Sequence, residues 1–239
     1  KADPRDYFLP GLGQVKLRSK PGRKSLTLMA IGGHNGVPHN HNDVGSFILH
    51  RGDKLWLTDP GGPVYNRKTF GPNRYDILFC NSKGHSVPVI NGKLQKEGSQ
   101  FKGTIKVQNL NQSGQKRAVV NMTRAYPKGT VRSLVRTFEL DPDTNRLTLT
   151  DDYSFDRKQR SLVEAFITFE SVKISRNGRS FQIGPRGNGI TVSAEAKGRF
   201  TVTAHEEESK EGRTDQVIQR VTFVPASLDR ELSLRFLIE

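Results

Sequence analysis

The stretch Val131-Arg132-Ser133-Leu134-Val135-Arg136-Thr137-Phe138-Glu139-Leu140, then Asp141-Pro142-Asp143, then Arg146-Leu147-Thr148-Leu149-Thr150-Asp151-Asp152-Tyr153 decides the fold. Both arms are rich in β-branched and aromatic residues, and Leu134, Phe138 and Leu140 recur at a spacing of two or a multiple of it, as do Leu147, Leu149 and Tyr153. The proline between them cannot donate to a ladder, and aspartates on either side supply turn chemistry. Two strands joined by a short turn are therefore expected here. Working outward, similar runs recur at 14–17, 26–31, 46–50, 54–57, 86–90, 103–107, 118–122, 162–169, 172–175, 181–183, 190–193, 200–204, 217–224 and 233–238. Asn91-Gly92, Asn177-Gly178 and Lys197-Gly198 punctuate them, and Asn177-Gly178 predicts a two-residue type I′ turn. No segment keeps a 3.6-residue apolar stripe beyond two turns. About sixteen short strands predict an all-β fold, a large antiparallel sandwich. Residues 1–10 are expected to be a connector from a preceding N-terminal domain, and 11–239 one sandwich domain.

The 239 residues carry 38 Lys and Arg against 24 Asp and Glu, a net charge of +14. A field of that sign attracts nucleic acid, anionic lipid or acidic polysaccharide. No aromatic RNA-binding strand, zinc finger or basic helix accompanies the charge, so no nucleic-acid partner is expected. No apolar run approaches the roughly 18 residues of a membrane span, so none is expected either. Cys80, the only cysteine, excludes an internal disulfide and a cysteine-based zinc site; its setting, Ile77-Leu78-Phe79-Cys80, predicts a buried thiol. The opening Lys1-Ala2-Asp3-Pro4-Arg5-Asp6 has no signal-peptide pattern and looks like the interior of a longer protein.

Three of the six histidines fall in Gly33-His34-Asn35-Gly36-Val37-Pro38-His39-Asn40-His41-Asn42-Asp43. Imidazole both shuttles protons near neutrality and ligates transition metals. On an extended segment His39 and His41 would point to one side and could reach one centre. Zinc in a nitrogen and oxygen site takes four ligands, and His41, Asp59 and His85 would supply three from separate segments. Each has a plainer alternative: exposed strand histidines, a carboxylate organising the Asp59-Pro60-Gly61-Gly62 turn, a hydrogen-bonded loop histidine at 85. Asp43 is expected to brace its loop. The His-x-His-x-Asp spacing also touches on metallo-β-lactamase-like enzymes, but Val44 stands where that signature has a histidine, and the helices of that fold are lacking.

Pro38-His39-Asn40-His41-Asn42-Asp43-Val44-Gly45-Ser46-Phe47 resembles the signature of the heparinase II/III-like polysaccharide lyases. Leu57-Thr58-Asp59-Pro60-Gly61, Gly71-Pro72-Asn73-Arg74-Tyr75 and Asn81-Ser82-Lys83-Gly84-His85-Ser86-Val87 follow at similar spacing. Phe8-Leu9-Pro10-Gly11-Leu12-Gly13-Gln14-Val15 resembles the entry to that family's β-domain. The resemblance implies an N-terminal α/α toroid, absent from these residues, followed by a β-sandwich, and cleavage of acidic glycans by β-elimination. It implies that His41, Asp59 and His85 hold a structural metal, usually zinc, and that His39 faces the cleft. Tyr75 is similar to the family's β-domain tyrosine near the cleft, and Arg74 could pair a sugar carboxylate. His34 and Asn40 are candidate hydrogen-bonding groups for substrate. The toroid supplies the family's principal catalytic tyrosine, so this chain alone would hold half an active site. The competing expectation is a non-catalytic β-sandwich that docks acidic polysaccharide around a structural metal. A polymeric substrate implies export, to the bacterial periplasm or beyond.

Overall fold

The computed structural model describes residues 5–185 and 187–239. The 131–153 stretch forms the expected hairpin: Ser133–Asp141 pairs antiparallel with Arg146–Ser154, with Asp141 opposite Arg146. That hairpin lies inside a nine-stranded sheet. Its spatial order is Val172–Ile174, Ser180–Ile183, Ile190–Ala194, Glu231–Ile238, Arg146–Ser154, Ser133–Asp141, Lys116–Asn121, Gly98–Gln108 and Gly33–Asn35. A five-stranded sheet runs Tyr7–Leu9, Gln14–Arg18, Leu26–Ile31, Phe47–Arg51, Lys54–Leu57. A four-stranded sheet runs Gly198–His205, Ile218–Pro225, Leu162–Thr168, Val89–Ile90. The fold is all-β, three antiparallel sheets in a sandwich-like arrangement. Among the described residues the longest helix is the single turn Glu206–Ser209, and no helix is long and apolar enough to cross a membrane.

Period-two patterning explains what the sheets bury. Leu134, Phe138 and Leu140 of one hairpin arm and Leu147 and Leu149 of the other are buried, and meet Leu28 and Leu49 of the five-stranded sheet. Phe166 and Phe223 of the four-stranded sheet join the same cluster. Phe166 packs edge-on against Phe47 and Phe236, with ring centroids 6.3 and 5.2 Å away. Each such buried ring contributes about 1.5–3 kcal/mol. One contiguous core thus ties all three sheets together.

Three local expectations change. Tyr7–Leu9, inside the segment expected to be a connector, is a strand paired with Gln14–Lys16. Asp6 before it accepts the Arg18 N–H at 2.7 Å and ion-pairs with Lys116 at 2.8 Å, which fastens this edge to the body. The run 86–90 is a strand only at Val89–Ile90, because the preceding chain coils through 3-10 turns at Leu78–Cys80 and Ser82–Gly84. At Asn177-Gly178 only Gly178 has positive φ (+70°), so the turn is not type I′. Its connection is longer, closed by Ser175 N–H to Ser180 O, and the Asn177 side chain accepts from Arg179 N–H.

Candidate metal centre

Three segments converge beyond the five-stranded sheet. His41 lies in the loop between Gly33–Asn35 and Phe47–Arg51, Asp59 two residues past Lys54–Leu57, and His85 immediately after the 3-10 turn Ser82–Gly84. Ligand-capable atoms of these three residues all lie within 4.8 Å of one another. His85 is fully buried; its Nδ1 stands 2.9 Å from Asp59 Oδ2, and its Nε2 donates to the Phe79 carbonyl at 3.0 Å. That second bond leaves Nδ1 as the nitrogen facing the cluster, the outer-shell arrangement found around metal-bound imidazoles. Asp59 Oδ1 is itself fixed by the Gly61 N–H at 2.9 Å, and the His41 ring centroid lies 5.2 Å from that of His85.

The charges are strongly biased. Burial, helped by the positive charge of His85, pushes His41 down to about 4, so its lone pair is free at neutral pH. Burial also opposes charge on His85, but the Asp59 carboxylate, its hydrogen bond and Asp43 outweigh it and raise His85 to about 9. Asp59 is held below the usual carboxylate range: burial works the other way and loses to the charge and hydrogen bond of His85. A proton on His85 neutralises Asp59; His41, Asp59 and His85 would hold a cation only with that proton released. The donor set therefore fits a borderline cation such as zinc. Asp43, expected only to brace its loop, places Oδ2 4.0 Å from His85 Nδ1, and burial raises it to about 6.

The loops are positioned by buried polar groups. Arg136, opposite Asp151 in the central hairpin, is almost fully buried. It donates to Asp151 at 2.8 and 2.5 Å, and also to the Gly45 carbonyl at 2.9 Å and the Ser86 carbonyl at 2.5 Å. One guanidinium thus pins the chain beyond His41 and the residue after His85. Glu164 lies 3.3 Å from Arg136 and accepts from the Tyr153 hydroxyl; burial and the Asp151 charge push its carboxyl well up. The buried Gln95 amide serves Val44 as a strand would, accepting its N–H at 3.0 Å and donating to its carbonyl at 2.7 Å. Ser82 Oγ donates to the Asn42 carbonyl at 2.7 Å. Gly45 has φ +91°, and a Cβ there would meet Met122 Sδ at 2.4 Å.

His39 goes elsewhere. Its φ of +59° breaks the extended run and keeps its ring out of the ligand cluster, although His39 and His41 line one hollow of about 270 Å³ together with His34, Asn40 and Asp43. The exposed His39 ring stacks on Tyr65 at 5.5 Å and 17°, with Phe70 edge-on at 5.8 Å. Tyr65 and Phe70 are 48% and 63% exposed, and the Arg213 guanidinium sits 4.3 Å over Tyr65. Tyr75 donates its hydroxyl to Asn40 Oδ1 at 2.7 Å, and burial raises its pKa. Arg74 donates to the carbonyls of Thr69 (2.8 Å) and Asn40 (2.9 Å). The Asn40 amide donates to Asn35 O at 2.8 Å and His41 O at 3.1 Å. His34 is exposed, with Nδ1 accepting from Gly36 N–H at 3.1 Å.

The model of the family described as "Heparinase II/III-like, C-terminal" matches residues 2–234. The chain belongs to that family. Among solved structures, a heparinase III described as the BT4657 gene product matches with a TM-score of 0.76 at 15% identity, covering 99% of this chain and 35% of that one. A heparan sulfate lyase HepC from Pedobacter heparinus matches at 0.75 and 13%, covering 100% and 37%. The chain thus spans about a third of the length of the structures it is similar to, and identities this low establish shared fold alone. No curated protein matches.

Within this heparinase II/III-like sandwich, His41, Asp59 and His85 come together as expected. Tyr75, Asn40 and Arg74 form one hydrogen-bonded knot behind the histidine loop. The ring neighbours of His39 are Tyr65 and Phe70, which sequence reasoning passed over. Tyr65 stands six residues after Asp59, between Gly62-Pro63-Val64 and Asn66-Arg67-Lys68, where an aromatic in a turn-rich segment is the available signal. Arg136 in its strand and Gln95 in the loop before Gly98–Gln108 carried none, since basic and amide residues are ordinarily solvated.

Proposed function

We propose that this chain is the β-sandwich part of a polysaccharide lyase that cleaves uronate-containing acidic glycans by β-elimination. His41, Asp59 and His85 hold a structural zinc ion, and His39 is the catalytic group this domain presents. The carrying observation is the contrast around His41: half-buried and buried donors converge on one side, while His39, two residues away, lies exposed among open aromatic rings, with Arg213 above Tyr65. Zinc, when bound, ties three separate segments together and adds fixed positive charge beneath the loop.

Elimination takes the proton from the carbon next to the uronate carboxyl, forms the C4–C5 double bond from that electron pair, and expels the 4-linked oxygen, which receives a proton. It needs the carboxylate charge countered, a base and an acid. His39 is placed to meet the uronate and either neutralise its carboxylate or move a proton. Tyr75, with its pKa raised, keeps its proton and acts as a donor rather than a base. Arg74, fixed by two carbonyls, keeps positive charge beside Tyr75, its guanidinium 5.9 Å from that ring. Asn40 shapes the loop between them, and His34 on the neighbouring strand offers a further polar contact. The remaining acid–base groups come from an N-terminal α/α toroid, and a polymeric substrate places the enzyme in the periplasm or outside the cell.

The test is the parent protein carrying His39→Ala, assayed by ultraviolet absorbance of the unsaturated uronate product. Turnover is expected to fall about 10²–10⁴-fold with zinc content unchanged. Undiminished turnover overturns the assignment.

A further inference from the structure

Asn42 and Tyr75, which flank the histidine loop, also line a cleft of about 410 Å³ with Lys93, Lys96 and Glu97. Lys93 leads from it into a second cavity, of about 580 Å³, which it lines with Thr130, Arg157, Lys158 and Arg160. No acidic side chain lines this second cavity. Its walls are built rather than loose. Asn91 Oδ1 accepts the N–H groups of Arg160 and Ser161 at 2.9 and 3.0 Å, and Asn91 N–H donates to Ser161 O at 2.9 Å. Gln159, itself buried, accepts from the Asn91 amide at 2.6 Å and donates to the Arg157 carbonyl at 2.5 Å. The segment carrying the three basic residues is thereby fastened to the Asn91-Gly92 turn. Thr130 is 4% exposed, and its Oγ1 has no hydrogen-bond partner among the described residues.

We propose that this cavity is a second anion-binding site, reached from the histidine face along the Tyr75–Lys93 cleft, and that it holds a sulfate or carboxylate group of an acidic saccharide chain. The choice of a saccharide rests on the proposed lyase function; the preference for an anion rests on the cavity itself. Four cationic side chains around one polar hollow attract multiply charged groups, and arginine suits the planar or tetrahedral oxygens of both. A polymer whose uronate lies at His39 would carry its charged groups onward into this cavity, so the site reads the chain at a distance from the bond that breaks.

The experiment titrates the chain, by amide NMR and calorimetry, with a heparin-derived sulfated hexasaccharide, an unsulfated polyuronate hexasaccharide and inorganic sulfate. Amide shifts are expected at Gly129, Thr130 and Ser161. Arg157→Ala/Arg160→Ala is expected to weaken hexasaccharide binding at least tenfold, with unchanged melting temperature and metal content. Binding of the sulfated hexasaccharide alone assigns a sulfate; binding of both assigns a carboxylate. Shifts here without shifts at His39 or Tyr65 leave this site standing while the histidine face fails as a glycan cleft. The proposal is overturned if neither hexasaccharide moves these amides, if inorganic sulfate alone does, or if the double variant binds as tightly as the unaltered chain.

Discussion

His39 and His41 are two residues apart and live in different surroundings. His41 is half-buried, its ring packed against His85, and desolvation strips it of its proton near neutrality. His39 is open to solvent, in the left-handed backbone region, with its ring on Tyr65. Underneath His41 lies a buried polar framework running through Gly45 to Arg136; the His39 ring packs on Tyr65 and Phe70 and borders a hollow shared with His34 and Asn40. The same side chain is a desolvated member of a His/Asp cluster in one place and a surface group in the other. The lesson is that a His-x-His spacing is not read by period alone: one positive φ redirects the ring.

The largest effect should come from the framework side. Arg136→Ala strands the buried Asp151 carboxylate and unpins the Gly45 and Ser86 carbonyls, so denaturant unfolding is expected to show a loss of about 3–5 kcal/mol. A loss below about 1 kcal/mol would mean that the loops are held without it. Next come the ligands. His41→Ala and His85→Ala should each abolish zinc binding in elemental analysis and lower the melting temperature of the zinc-loaded chain, because ligation free energy is folding free energy. His39→Ala should do neither, and a variant at 39 that loses zinc would erase the contrast. A smaller effect is expected at the knot behind the loop: Tyr75→Phe removes the hydroxyl bond to Asn40 and should cost about 0.5–1.5 kcal/mol by urea unfolding. An unchanged stability would mean that the hydroxyl serves the cleft alone.

These expectations draw on features that were unequally visible beforehand. The β-class was legible because strand patterning is local: the 131–153 hairpin, 26–31 and 54–57 all announce themselves by alternation and turn residues. His41, Asp59 and His85 were legible from residue type and their joint occurrence, with the family resemblance pointing to the same three; no local pattern joins residues from three segments. The short strands Tyr7–Leu9 and Gly33–Asn35 were not legible; both are three residues long, and pairing partners rather than propensity make them strands. Arg136 was hidden for a different reason. It occupies an inward position between Leu134 and Phe138, where the pattern calls for an apolar residue, and only the Asp151 directly across the ladder explains it. The approach of Asp43 to His85 carried no local signal, because the two are 42 residues apart in sequence.

The smallest predicted effect sharpens the comparison most. Among the described residues five non-glycine positions have positive φ, and four are asparagines; His39 is the exception. Asparagine tolerates that region because its short amide bonds locally, whereas an ordinary side chain there costs on the order of 1 kcal/mol. His39→Gly removes that strain and also the ring contacts with Tyr65 and Phe70, which are weak at an exposed site, so the two changes nearly cancel. The stability change is expected to stay within about 0.5 kcal/mol of zero, the range of surface substitutions, with zinc retained. A loss above about 2 kcal/mol would show that the His39–Tyr65 stack holds the loop, and His39 would then belong with His41 as a structural group. A null result leaves a strained histidine that stability does not require, held on an open aromatic face beside the His41–Asp59–His85 cluster, as the catalytic role proposed for it demands.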